Sequence, residues 1–169
     1  MAYNSSNAKL VLNALISAGA PAQVLPFLMS QVAHETGNFN SRVMKANNNA
    51  SGIMFINKPL KQKNATRGLP YPKKEGKYWY ANFASLTDWA RDYLRIVGKL
   101  PMQAVSLPDY AAKLRQRGYY TDSLSNYTKG LKIHFKGLID TGIIKVDPNA
   151  LSVPEKKKEQ PAAEPITKV

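Results

Sequence analysis

Cysteine is absent from the 169-residue chain, so disulfide frameworks and thiolate metal sites are excluded. Histidine is nearly absent, with His34 and His134 alone. His34-Glu35 opens like the zinc-protease motif H-E-x-x-H, but the fifth position is Asn38, so the motif fails. No metal or other cofactor is expected. Acidic residues are scarce: 11 Asp and Glu stand against 24 Lys and Arg, a formal net charge of +13. No apolar run approaches the roughly 20 residues of a membrane helix, so the chain is not expected to span a bilayer. No internal repeat is visible.

The excess of base suits polyanionic partners: nucleic acid, anionic lipid or an acidic cell-wall polymer. Residues 58–77 concentrate it, with Lys58, Lys61, Lys63, Arg67, Lys73, Lys74 and Lys77 around the single acid Glu75. A nucleic-acid groove would interleave aromatics with such charges. Only Tyr71 does so here, and nucleic acid is not expected as a partner. From about residue 148 the chain turns to Pro, Lys and Glu without an aromatic residue. Such a segment cannot bury enough apolar surface to fold, and residues 148–169 read as a flexible tail or linker after a domain of residues 1–147.

Residues 10–20 resemble a short signal-peptide core, with Ala18-Gly-Ala20 as a cleavage site. Lys9 is the only charge before it, and Asn13 interrupts the apolar run. A first globular helix over 7–17 is the better reading, its stripe being Val11, Leu12, Leu15 and Ile16, with Leu10, Ala14 and Ser17 on the weaker face. A second helix runs from Pro26, suited to a first helical turn, to Thr36. Residues 38–83 show no sustained helical period, and turns with a two- or three-stranded sheet are expected, one strand lying within 77–83. A third helix, capped by Ser85 or Thr87, carries Leu86, Ala90, Tyr93, Leu94 and Val97 on one face and stops at Gly98. A fourth packs Tyr110, Ala111 and Leu114 and ends at Gly118. A fifth, over 123–139, packs Leu124, Tyr127, Leu131, Phe135 and Leu138.

Glu35 stands out against this background. Leu28, Val32 and Glu35 fall at i, i+4 and i+7 on one helix face, and a carboxylate on such a stripe is costly when charged. Gly37 places it in the last turn, where the helix dipole also disfavours negative charge. Both effects raise a pKa, as a general acid requires. A half-exposed residue at a fraying helix end has the same local sequence.

Four segments in order resemble one group of enzymes. Gln31-Val-Ala-His-Glu-Thr-Gly-Asn-Phe-Asn-Ser41 resembles the helix-end motif of lysozyme-like glycosidases that cut bacterial peptidoglycan. Asn49-Ala-Ser-Gly-Ile-Met54 resembles their Asn-x-x-Gly-Ile turn, and Phe83-Ala-Ser85 the aromatic-x-Ser entry to the next helix. Gly118-Tyr-Tyr-Thr-Asp122, followed by Tyr127, resembles the Gly-Tyr-Ala-Thr-Asp signature of the glycoside hydrolase family 73 glucosaminidases.

The resemblance implies an α+β, mainly α domain: a lysozyme-like helical body with a small β-lobe. It implies cleavage of the β-1,4 bond between N-acetylglucosamine and N-acetylmuramic acid in peptidoglycan glycan strands, with Glu35 as the acid. A β-lobe Glu is the usual second group in the family, and Glu75 is the one acid between Glu35 and Asp88. The same residue would suit a surface hairpin turn, in which case the substrate's N-acetyl group could act instead. Tyr119 matches the motif tyrosine in the cleft near the acid. Tyr120 departs from the usual Ala, and covers a sugar face or packs. Asp122 matches the motif Asp and also reads as a cap for the helix after it. Asn49 and Gly52 are expected to shape the turn at the cleft; Trp79 on one face of its strand, or Tyr78 and Tyr80 on the other, is expected to stack on sugar, because alternate strand residues face opposite ways.

A lytic transglycosylase shares the fold and the single Glu, and a non-catalytic basic wall-binding module is the rival from another class. A helical chitinase shares His34-Glu35-Thr36 but not its later Gly-rich motifs. The setting expected is a bacteriophage lysin or virion-borne enzyme, in host cytoplasm or virion and acting at the wall. Its tail is expected to be a tether to other virion or lysis proteins or a plain flexible end.

Overall fold

The computed structural model describes residues 2–58, 61–72 and 77–146. The tail at 148–169 and Glu75 lie outside the described residues. Six helices and a two-stranded antiparallel sheet are formed among them. They are α1 (Ser5–Ser17), α2 (Leu25–Thr36), α3 (Arg42–Asn47), β1 (Ala65–Pro70), β2 (Trp79–Phe83), α4 (Leu86–Val97), α5 (Leu107–Gln116) and α6 (Leu124–Asp140). Single 3-10 turns precede α2 and α5.

Short polar side chains start the helices. Ser41, Ser85, Ser106 and Ser123 each accept the N–H three residues on through Oγ, and Asn4 does the same for α1. Each cap satisfies one N–H that an α-helix leaves unpaired in its first turn. At the other end of α2, Gly37 takes a left-handed conformation and returns its N–H to the Ala33 carbonyl.

Helix α2 is the central rod, with every residue from Phe27 to Ala33 buried. Its most extensive neighbour is α6, followed by α1, and α5 reaches it through the Tyr110 side chain. Phe27 sits between Tyr110 and Phe135, with ring centroids 5.7 and 5.9 Å away. Close approach of α2 and α6 depends on Gly130, because a Cβ there would come within 2.8 Å of the His34 ring. His34 thus faces α6, edge-on to Tyr127, and sits 5.4 Å from His134.

The sheet pairs Ala65 with Phe83 and Arg67 with Ala81, and its register slips before Pro70 meets Trp79. Residues 53–55 run along the free edge of β2: Ala81 N–H donates to the Ile53 carbonyl, Phe55 N–H to that of Trp79, and Met54 bridges Tyr80. Buried Gln62 fastens this lobe to the helical body. Its amide donates to the Met54 carbonyl at 2.7 Å and to Asp92 at 3.3 Å, and its carbonyl accepts the Ile56 N–H. Asp92 is itself buried and ion-paired with Arg95.

The expected helices are present, with corrections of face and number. Helix α3 lies inside the stretch where no helix was expected, since six residues are too few for a period to register and only the Ser41 cap marks it. On α1 the buried face includes Ala8 and Ala14, while Ile16 is 53% exposed. Ala14 is small enough to sit where helices approach closely, which hydrophobicity alone does not rank. On α4, Trp89 is fully buried and stacks on Tyr93 at 5.1 Å, whereas Leu86 and Leu94 are half-buried. On α6, Leu124 in the first turn is exposed and His134 is buried.

Gln62→Leu should destabilise the domain by about 1–3 kcal/mol, because it strands buried polar partners. Urea denaturation checks this; an unchanged midpoint would contradict the account.

Candidate active site

A cleft of about 630 Å³ opens between the β-lobe and the helical body. Glu35, Ser51, Met54, Gln62, Arg95, Arg117 and Tyr119 are among its lining residues. Glu35 reaches it from the last turn of α2. Glu35 is exposed toward the cleft, and the protein packed behind its carboxyl is what desolvates it.

Two groups hold that carboxyl, and both address one oxygen. Gln31 Nε2 donates to Glu35 Oε1 at 3.1 Å, and Tyr119 Oη donates to the same oxygen at 3.1 Å. Gln31 is one helical turn before Glu35, so its side chain lies on the same face. Its amide is oriented in turn by the Tyr110 hydroxyl, which donates to Gln31 Oε1 at 2.5 Å. Tyr119 arrives from the turn after α5. Glu35 Oε2 has no partner among the described residues and is left for the cleft.

The electrostatics favour the neutral acid. Burial pushes the Glu35 pKa up from 4.5 to about 7, against the opposing effect of the Gln31 and Tyr119 hydrogen bonds. No cation forms an ion pair with it among the described residues. Tyr93, Tyr110, Tyr119 and Tyr127 gather around the carboxyl, and burial, reinforced by its charge, raises each phenol above its usual value. They stay protonated and supply dipoles rather than charge. With Oε1 accepting two hydrogen bonds, Oε2 is the oxygen left to carry the acidic proton.

The other expected site residues fall in different places. Asn49 is fully buried and spends its amide on the turn, donating to the Ile53 and Ala81 carbonyls and accepting the Ile53 N–H. Gly52, with φ +64°, completes that turn and lines a neighbouring hollow with Met54, Tyr71 and Tyr78. Tyr120 packs: its ring stacks on Tyr127 at 3.7 Å and its hydroxyl donates to the Ala111 carbonyl. Asp122 accepts the Ser123 N–H at 2.6 Å ahead of α6, while Ser123 itself is the cap. Trp79 is absent from the cleft lining, and the Arg67 guanidinium lies over its ring at 4.0 Å. Glu35 and Tyr119 therefore come together, and Asn49 and Gly52 support the wall.

Several residues in and behind the cleft wall were not anticipated. Gln31 had a signal, its i, i+4 spacing from Glu35. Tyr110 was assigned to core packing because its ring is apolar, and nothing local reveals where its hydroxyl points. Ser51, which accepts from Trp89 Nε1 at 2.9 Å, and Gln62 act through contacts distant in sequence. Among the described residues no three His, Cys, Asp or Glu side chains cluster as a metal site would need, and no helix is long and apolar enough to cross a membrane.

A carboxyl with a raised pKa lines a cleft between a helical body and a small β-lobe, and the chain also matches a known family. Residues 12–138 match the glucosaminidase family, described as mannosyl-glycoprotein endo-beta-N-acetylglucosaminidase, and the chain belongs to that family. It is a glycosidase of the peptidoglycan-cleaving kind. No curated protein and no solved structure matches it.

A carboxyl whose folded pKa exceeds its unfolded value contributes stability that is fully present below about 4.5 and lost as pH rises through about 7. Glu35→Gln should therefore gain stability relative to the parent chain between pH 4.5 and 8. Paired denaturation curves at the two pH values test this, and a pH-independent difference would contradict the raised pKa. The depressed pKa of His134, due to burial and then to His34, acts in the opposite direction but is common to both proteins.

Proposed function

We propose that the chain hydrolyses the β-1,4 bond between N-acetylglucosamine and N-acetylmuramic acid, with Glu35 as general acid. The observation that carries this is the one-sided holding of the Glu35 carboxyl. Gln31 and Tyr119 occupy Oε1, and Oε2 is free to protonate a glycosidic oxygen lying in the cleft. The acid must be protonated to act, so activity falls as pH rises through about 7. Tyr119 is then a positioning residue, and Asn49 and Gly52 shape the turn below the sugar.

Glycosidases commonly use a second carboxylate to activate water or to attack the sugar. Glu35 is the one carboxylate among the described residues that line the cleft. Glu75 is our candidate for the second, on sequence grounds, with the substrate's own N-acetyl group as the alternative nucleophile. A single carboxylate also fits a lytic transglycosylase, in which no water enters the product. A bacteriophage lysin or virion-borne enzyme is the setting we favour, and the +13 charge would hold it to an anionic wall.

Digestion of purified peptidoglycan, with the muropeptides read by mass spectrometry, decides between these. The reading predicts new reducing-end N-acetylglucosamine from the parent protein. A near-isosteric, folded Glu35→Gln should lose at least about a hundredfold in rate, the scale of general acid catalysis. Reducing-end muramic acid would reassign the bond, 1,6-anhydro ends would reassign the reaction, and full activity in Glu35→Gln would reject the acid.

A further inference from the structure

The cleft has two extensions of opposite chemistry. Past Met54 it meets the hollow of about 430 Å³ lined by Gly52, Met54, Tyr71 and Tyr78, where the chemistry is aromatic. Past Arg95 it meets a second hollow of about 300 Å³, lined by Lys61, Lys63, Asn64, Asp88, Arg91, Asp92 and Arg95. Met54 and Arg95 each line the central cleft as well, so the three spaces share walls.

The second extension is cationic beyond what its acids neutralise. Asp92 pairs with Arg95 and Asp88 with Arg91, which leaves Lys61 and Lys63 exposed on the rim without a carboxylate among the described residues. Arg117 adds a further charge on the cleft wall, two residues before Tyr119. Its guanidinium lies flat against Gly98, where a Cβ would approach Nη2 to 2.7 Å, and Nη2 donates to the Ile96 carbonyl at 3.4 Å. No carboxylate pairs with Arg117 among the described residues. A guanidinium seated on backbone in the cleft wall, and two lysines without a carboxylate partner around the adjoining hollow, have donors left to offer a ligand.

We propose that this cationic arm takes the acidic peptide stem of the substrate, through the carboxylates that the stem carries, and so makes the enzyme prefer peptide-bearing over bare glycan. The inference rests on the peptidoglycan reading above. The stem is linked covalently to the muramic acid lactyl group, so a glycan in the cleft presents it sideways, close to the scissile bond. The arm likewise branches from the cleft beside Glu35, through a shared arginine. The sugars of a stem-bearing strand have no charge to offer Lys61 and Lys63, since the lactyl carboxyl is tied up in the amide to the stem; the stem carboxylates do. Arg117 and Arg95 would meet the carboxylate nearest the sugar, and Lys61 and Lys63 those further along.

The test compares kcat/KM of the full chain on two soluble, phosphate-free substrates: glycan strands carrying their peptide stems, and the same strands stripped by an amidase with the freed lactyl carboxylates capped as methylamides. Reducing ends are counted in both. The proposal expects a preference for peptide-bearing strands of about tenfold, the scale of a few partly exposed charge pairs, expressed in KM and weakened by salt. Lys61→Glu with Lys63→Glu, both at exposed positions and checked for an unchanged melting temperature, should abolish or invert that preference. Arg117→Gln should reduce it by several-fold, the scale of one charged hydrogen bond. Equal rates on the two substrates, or a preference untouched by the lysine reversal, would overturn the proposal while leaving the glycosidase reading intact. A preference that appears only when phosphate-bearing wall polymer is restored would overturn it in favour of a polyanion site. Failure to cut either substrate would overturn the reading on which it rests.

Discussion

A carboxylic acid whose pKa is pushed up to about 7 in a cleft open to solvent is the constraint on which this molecule's arrangement depends. Glu35 can sit at the end of α2 only if its surroundings tolerate an ionisable group without pairing it to a cation. Gln31 and Tyr119 do this by donating to a single oxygen. Hydrogen bonds of this kind lower the pKa, and burial outweighs them. A lysine or arginine in ion-pair contact would have reversed the balance by stabilising the charged form. The cleft arginines stand apart from the carboxyl: Arg95 is committed to Asp92, and Arg117 is seated on Gly98.

The fold serves that arrangement through three tethers. The bare Gly130 backbone lets α6 close on α2 behind the acid, which fixes the rod that carries Glu35 and Gln31. Helix α5 supplies Tyr110 from its body and Tyr119 from the turn that follows, so one element orients the acid both through Gln31 and directly. Gln62 ties the 54–56 segment to Asp92, setting the opposite wall of the cleft. Each tether joins residues far apart in sequence, and the two polar ones replace water with a protein partner where a stray polar group would be costly.

The helical body was legible in the sequence because amphipathic period and serine caps are local signals. Glu35 was legible for the same reason: an acid in an apolar last turn before glycine contradicts its neighbours. Tyr119 was found through a family resemblance rather than through its own surroundings. What stayed hidden is what depends on long-range contact. The hydroxyl of Tyr110, the amide of Gln62 and the seat of Arg117 on Gly98 have no periodic trace. Trp79 shows the converse, since an aromatic strand residue looks like a sugar platform until the cross-strand neighbour Arg67 is placed over it.

The account turns on the protonation state of one side chain, which can be observed directly. A carbon-13 NMR titration of the side-chain carboxyl of Glu35, assigned by its disappearance in Glu35→Gln, should give a midpoint of about 7. A midpoint near the ordinary glutamate value of about 4.3 would show an acid already ionised at neutral pH and would contradict its role as proton donor.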